Sequence, residues 1–209
     1  MIEVKDLNKK IKNEYILKDI NLCLKEGNVY GFVGRNGSGK SMLFKTIAGF
    51  VLPTSGAVFF DGVDIYAKGV FAIDTRVLID TPYFIETLSA LDNLKMLANI
   101  NKVISKEDIL AVLKDLDLLD KKDEQVRKYS LGMKQKLGIA QAIMEDSKVI
   151  ILDEPFNGLD ECAVKIVRNI ILREKEKGKI ILLASHIKED INLLCDKVFY
   201  IENGSFKNI

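Results

Sequence analysis

The chain contains no tryptophan and only six tyrosines. An aromatic platform on which nucleobases stack therefore has little to be built from. Nor is there an excess of either charge. The 31 basic and 30 acidic residues leave a net charge of +1, which gives no overall electrostatic footprint for nucleic acid. Cysteine is scarce: Cys23, Cys162 and Cys195 are odd in number, far apart and without a C-x-x-C pair. That excludes a disulfide framework and reads as the reduced thiols of a cytosolic protein. No uninterrupted apolar run approaches the roughly 20 residues that span a bilayer. The opening "MIEVKDLNKK" is charged from its third residue and lacks the apolar stretch of a signal peptide. Service to a membrane is thus expected to go through a partner. There is no low-complexity linker or internal repeat, and nothing after "KVFYIENG" signals a further regulatory domain.

What is present is a globular composition, 48% hydrophobic and 29% charged over 209 residues, enough for a substantial core. Short β-branched runs dominate before about residue 80 and after about residue 148. "NVYGFVG", "AVFFDG", "RVLID", "VIILD", "KIILLASH" and "KVFYIENG" all read as strands. The intervening stretch has helical period. "SALDNLKMLANI" places Leu91, Leu94 and Leu97 on one face, opened by Ser89 with Asp92 three residues on as a capping box. "SKEDILAVLKDLDLL" repeats the device with Ser105 and Asp108, and a third helix is expected from Ser130 to about Met144. Strands, a helical block, then strands again imply an α/β core carrying an inserted helical subdomain.

Four of the apolar strands end on chemistry. "YGFVG" runs into a glycine-rich loop, "RVLID" ends at Asp80, "VIILD" at Asp153, and "IILLAS" is followed by His186, the single histidine. In open parallel sheets ligands bind beyond the carboxyl ends of the strands, so four such endings imply a site.

The loop identifies the ligand class. "GRNGSGKS", Gly34 to Ser41, fits G-x-x-x-x-G-K-[ST] in full, with a strand before it and the helical "SMLFKTIAG" after it, Gly49 standing as the C-terminal stop. Gly34, Gly37 and Gly39 are expected to let successive N–H groups turn inward on phosphate oxygens, aided by the helix N-terminus. Lys40 is a point charge for β- and γ-phosphates, and the Ser41 hydroxyl a ligand for Mg²⁺. That reading explains why an apolar strand ends in two adjacent carboxylates. Asp153 would hold the metal shell, and Glu154 would orient or deprotonate the attacking water.

At this point the chain resembles an ABC-type ATPase subunit over essentially its whole length. "GRNGSGKS" matches the Walker A loop, "YSLGMKQKLGIAQAIM" the signature segment, "VIILDEP" Walker B with the catalytic glutamate, "NGLD" the D-loop and "LLASH" the switch histidine. "YSLGM", with "IDTP" in the Q-loop region, is most similar to the multidrug and bacteriocin or lantibiotic-resistance exporters. The resemblance implies a P-loop NTPase fold: a RecA-like core with a mainly parallel sheet, an N-terminal antiparallel β portion and an inserted α-helical subdomain. The chain would be one domain, 1–209, with its core at about 1–84 and 148–209 and helices at about 85–147. ATP would be held by Gly34, Arg35, Asn36, Gly37, Ser38, Gly39, Lys40, Ser41 and Met42, with Mg²⁺ on Ser41 and Asp153 and Asp80 nearby. Glu154 and His186 would be catalytic.

The resemblance further implies a homodimer or heterodimer of ATPase subunits with two ATP molecules at its interface. Ser130 and Gly132 would face the ATP of the partner subunit, and Asp160 would cross the interface. Ser130 as a helix N-cap makes that orientation physically sensible. The dimer would serve transmembrane permease subunits, which hold it on the cytoplasmic, inner face of the cell membrane, without direct nucleic-acid binding. Three departures from the family pattern involve four positions. Asp80 stands for a glutamine; Leu131 and Met133 stand for a glycine and a glutamine; Ile11 takes the place of the adenine-stacking aromatic, which loosens the expected preference for ATP over GTP unless Tyr15 swings in. The rival reading is a soluble ABC ATPase acting on nucleic acid or the ribosome. It wants a long coiled coil or a second cassette, and neither is present. A GTPase switch or small-molecule kinase would share the phosphate loop alone, and N-K-x-D is missing.

Overall fold

The computed structural model describes residues 1–67 and 74–207. Among these, two sheets and six α-helices form the frame. The first sheet is antiparallel, in the order β2 (Glu14–Leu24), β1 (Ile2–Ile11), β4 (Ser55–Phe60), β5 (Val63–Asp64). The second has the order β10 (Ser205–Phe206), β9 (Lys197–Glu202), β3 (Asn28–Val33), β8 (Ile180–Ala184), β7 (Val149–Asp153), β6 (Thr75–Leu78). Its strands are parallel except β10, which returns antiparallel on β9.

The unbroken apolar runs of β7 and β8 follow from burial on both faces. Val149, Ile151, Ile180, Leu182 and Ala184 enter one core, together with Ile2, Leu17 and Leu24 of the antiparallel sheet and Leu43, Phe44 and Ile47 of α1 (Lys40–Ile47). The alternate residues Ile150, Leu152, Ile181 and Leu183 enter the other core, under α2 (Ala90–Asn101), α3 (Lys106–Asp115), α4 (Leu131–Ile143) and α5 (Glu161–Glu176). Helix α1 is thus held between the sheets, and Phe32 pins it through an edge-on contact with Phe44, centroids 5.1 Å apart. A short α6 (Lys188–Leu194) precedes β9.

The helical block is welded to the sheet edge. Gly138 of α4 lets the helix sit against Leu78 and Pro82, which a Cβ there would meet at 2.9 Å. Behind it, buried Glu145 accepts from the Arg76 guanidinium of β6 and, at 2.9 Å, from Asn101 at the end of α2. The capping box at Ser105 and Asp108 forms in full. At Ser89 it forms by half. Ser89 Oγ accepts from the Asp92 N–H, but Asp92 Oδ2 accepts from the Ser89 hydroxyl, not its backbone, which bridges to Gln125.

Candidate functional site

The parallel strands β3, β6, β7 and β8 put their carboxyl ends at one edge, as four special endings required. A cavity of about 710 Å³ lies there. Its floor is the loop after β3. Gly37 adopts φ 79°, and Gly39, the N-cap of α1, φ 110°, conformations that a Cβ disfavours. Gly34 is different: its φ is not positive, and a Cβ there would collide with Ile201 O at 2.4 Å and Ser38 Oγ at 2.5 Å. Close packing under β9, not left-handed backbone, demands glycine at that position. The loop is pinned from below, where Gly204 N–H donates to Ser38 O at 3.0 Å. At the far end of α1, Gly49 and Phe50 donate to Thr46 O and Lys45 O, closing the helix with the expected glycine.

Lys40 is 7% exposed and curls over the loop, Nζ donating to Gly34 O at 2.7 Å and Arg35 O at 3.4 Å. The Ser41 hydroxyl donates to Asp153 Oδ2, joining the first turn of α1 to the end of β7. Burial pushes the Asp153 carboxyl up, and the neighbouring Glu154 charge adds to this, while the Ser41 bond and Lys40 pull the other way. Glu154 turns the chain at φ 51°, its N–H donating to Ala184 O at 2.9 Å. Its Oε2 lies 2.8 Å from His186 Nδ1, which donates because an ionised carboxylate can only accept. The histidine side chain is 64% exposed, on the outer side of the glutamate.

Other expected residues are placed less simply. Asn36, Ser38, Met42 and Asp80 line the cavity, and Asp80 Oδ2 is paired with Lys45 Nζ at 2.5 Å. Arg35 faces a separate depression of about 350 Å³ with Tyr200 and Lys207. Ile11 sits exposed at the end of β1 and does not line the cavity; Ile16 does. Tyr15 is exposed and lies under Lys10 Nζ, 4.2 Å from the ring centroid. Ser130 caps α4 by accepting from the Met133 N–H at 3.2 Å, and it stands at the exposed surface, outside the cavity. Gly132 makes a close approach within its own chain: a Cβ would sit 2.7 Å from Gly158 O. Asp160 caps α5, accepting from Ala163 N–H at 2.8 Å.

Besides Ile16, the cavity is lined by Thr81, Gln135 and Asn157, which escaped the sequence reading, and by Leu131, which enters it only as a departure from the signature pattern. Gln135 of α4 bonds to the backbone of Glu154 and Pro155. An amide inside an amphipathic helix carries no spacing signal that separates it from a solvated polar residue.

The donor set suits a triphosphate with a hard cation. Hydroxyl and carboxylate oxygens from Ser41 and Asp153 are the ligands Mg²⁺ prefers. Asp153 carries a desolvated charge that wants a counter-ion, and Ser38 Oγ is buried in the loop without a protein partner. No cluster of three or more His, Cys, Asp or Glu side chains forms a metal cage among the described residues. An ion here would be held largely by phosphate and water, as magnesium usually is.

Comparison with known proteins identifies the family. The family model described as ABC transporter matches residues 17–157. The chain is 40% identical over 204 residues to YybJ of Bacillus subtilis (strain 168), an uncharacterized ABC transporter ATP-binding protein, covering 98% of this chain and 94% of the relative. It is 35% identical over 204 residues to SrtF of Streptococcus pyogenes, a lantibiotic transport ATP-binding protein, with coverages of 98% and 88%. Among solved structures, an ATP-binding subunit of an ABC transporter superposes with a TM-score of 0.90 at 28% identity, covering 100% of this chain and 88% of that one. Fold and site define an ATP-binding, ATP-hydrolysing cassette. The chain belongs to the ABC transporter family.

Proposed function

We propose that this subunit binds Mg²⁺-ATP on the loop 34–41 and hydrolyses it with Glu154, as one half of a dimer that drives separate membrane-spanning subunits in export. The observation that carries the reading is the convergence of Lys40, Ser41, Asp153 and Glu154 on one cavity, with Ser41 and Asp153 already hydrogen-bonded across it. Lys40 trades its two loop carbonyls for phosphate oxygens. Ser41 and Asp153 would hold Mg²⁺, which would supply charge neutralisation for the phosphoryl group. Glu154 accepts the proton of, or orients, the attacking water, and His186, 2.8 Å from Glu154 Oε2, keeps its carboxylate in place.

The partner subunit closes the site with the exposed start of α4, where Ser130 Oγ takes the Met133 N–H and the N–H groups of Leu131 and Gly132 remain to meet phosphate. Asp160 combines its capping of α5 with a place at that interface. Asp80, held by Lys45, stands at the cavity rim next to the exposed Tyr83 and Ile85. This rim, with its exposed Tyr83 and Ile85, is the expected docking surface for the permease. The likeness to a lantibiotic transport protein favours an exporter of antimicrobial peptides or drugs. Because Ile16 offers the base an apolar edge and not a ring, GTP is expected to compete with ATP.

The test is Glu154→Gln. Phosphate release should cease while ATP binding persists and a dimer accumulates on size exclusion with Mg²⁺-ATP. Turnover at the wild-type rate would remove Glu154 from the chemistry.

A further inference from the structure

We infer that Gln135 is a positioning residue for hydrolysis, a latch through which the signature helix sets the conformation of Glu154 in its own subunit; the inference rests on Glu154 being the residue that activates water. Gln135 lies in the second turn of α4 and is 7% exposed. A buried amide is costly unless its hydrogens are bonded. Both go to one place. Nε2 donates to Glu154 O at 3.2 Å and to Pro155 O at 3.2 Å. Two successive carbonyls at the exit of β7 are thereby gripped by one side chain from the helical block.

The gripped residue is strained. Glu154 sits at φ 51°, a left-handed conformation that is unfavourable for a residue with a Cβ and persists where the surroundings over-determine it. The core supplies one restraint, Ala184 O on the Glu154 N–H at 2.9 Å, and the following turn another, Asn157 N–H on Glu154 O at 3.2 Å. Gln135 supplies the restraint that belongs to α4. Its position is reinforced one turn earlier, where Gly132 lies so close to Gly158 O that a Cβ would sit 2.7 Å away, and Leu131 packs on Gly158.

The consequence is mechanical. Ser130 and Gln135 ride on the same rigid helix, about 7 Å apart along its axis. A tilt or shift of the α4 start, where the partner's nucleotide would bind, acts on the two carbonyls that set the Glu154 backbone. Docking of the signature segment at one ATP thus bears on the glutamate serving the other.

Gln135→Glu keeps the shape, removes both N–H donors and sets a carboxylate against two carbonyl oxygens. Gln135→Lys restores donors of similar reach. Both are compared with wild type in the full chain, and also in the Glu154→Gln background. We expect kcat of Q135E to fall by roughly 100-fold, the scale on which a misplaced catalytic group loses rate. ATP affinity and KM should stay within about threefold, the signature of an effect on the chemical step, and Q135K should recover most of the rate. In the Glu154→Gln background, Q135E should still form the ATP-trapped dimer. Q135E with wild-type kcat, Q135K as slow as Q135E, loss of the trapped dimer, or a rate that falls only with the folded fraction would each overturn the latch. Wild-type turnover by Glu154→Gln alone would instead remove the reading on which it rests.

Discussion

Gly132→Ala separates packing from stability. The added Cβ would sit 2.7 Å from Gly158 O, against about 3.4 Å for an ordinary contact, so the first turn of α4 and the turn at residue 158 must part by about 0.7 Å. The obstacle is backbone and cannot rotate away. Against this, alanine is favoured over glycine inside a helix by about 1 kcal/mol, and by less in the first turn. The two terms oppose one another, and the net change in unfolding free energy is expected to stay within about 1 kcal/mol. Rate has no such compensation. The displacement occurs between the segment proposed to meet the partner's phosphate and the loop that carries Glu154, and misplacement near 1 Å costs up to about 100-fold. Steady-state phosphate release, with thermal unfolding on the same samples, reads both quantities. The expected result is a rate at least tenfold down at nearly unchanged Tm. Full activity would refute the argument, because it would mean that α4 tolerates the shift without consequence for either site.

Asp153→Asn should raise the Tm of the nucleotide-free protein at pH 7 while abolishing hydrolysis. The folded carboxyl is pushed above its unfolded value, so the fold takes up a proton there. Its charge costs stability as pH rises through the window from the unfolded pKa to the folded one, and the cost is complete at neutral pH. A lower Tm for D153N by scanning fluorimetry would contradict this, and the gap should shrink when Mg²⁺-ATP is added to wild type. Glu145→Ala should cost about 2–4 kcal/mol in denaturant unfolding, since it leaves Arg76 partly buried without its partner; a change below about 0.5 kcal/mol would show the pair to be dispensable. Iodoacetamide at pH 8 should label the exposed Cys23 and Cys162 and spare Cys195, whose thiol burial pushes up to about 12, with Asp196 and Asp190 adding to it. Rapid labelling of Cys195, seen by peptide mass, would mean that the packing around α6 opens readily.

The parts of the site legible in the sequence were those written in local pattern. Strand ends, the glycine loop and the caps at Ser105 and Ser130 each depend on neighbours within a few residues, and the structure places them accordingly. What depends on distant backbone was not legible. The need for glycine at Gly34 comes from Ile201 O, supplied by β9 far along the chain. Which isoleucine borders the cavity turns on the β1–β2 pairing, whose register shifts three times, so that Ile16 and not Ile11 lies there. Asp160 was within reach, since an aspartate before "ECAV" is an ordinary helix start. Gln135 was not, because its two acceptors lie on a loop that reaches α4 only through the tertiary fold.

Calorimetric titration of Mg²⁺-ATP into Glu154→Gln, alone and combined with Lys40→Ala, tests the central claim most directly. Saturable binding of one nucleotide per chain, lost with Lys40 and greatly weakened by EDTA, is the predicted outcome. No binding to either protein, or equal affinity with and without the lysine, would contradict the nucleotide site on this loop and leave the two carboxylates at the end of β7 unexplained.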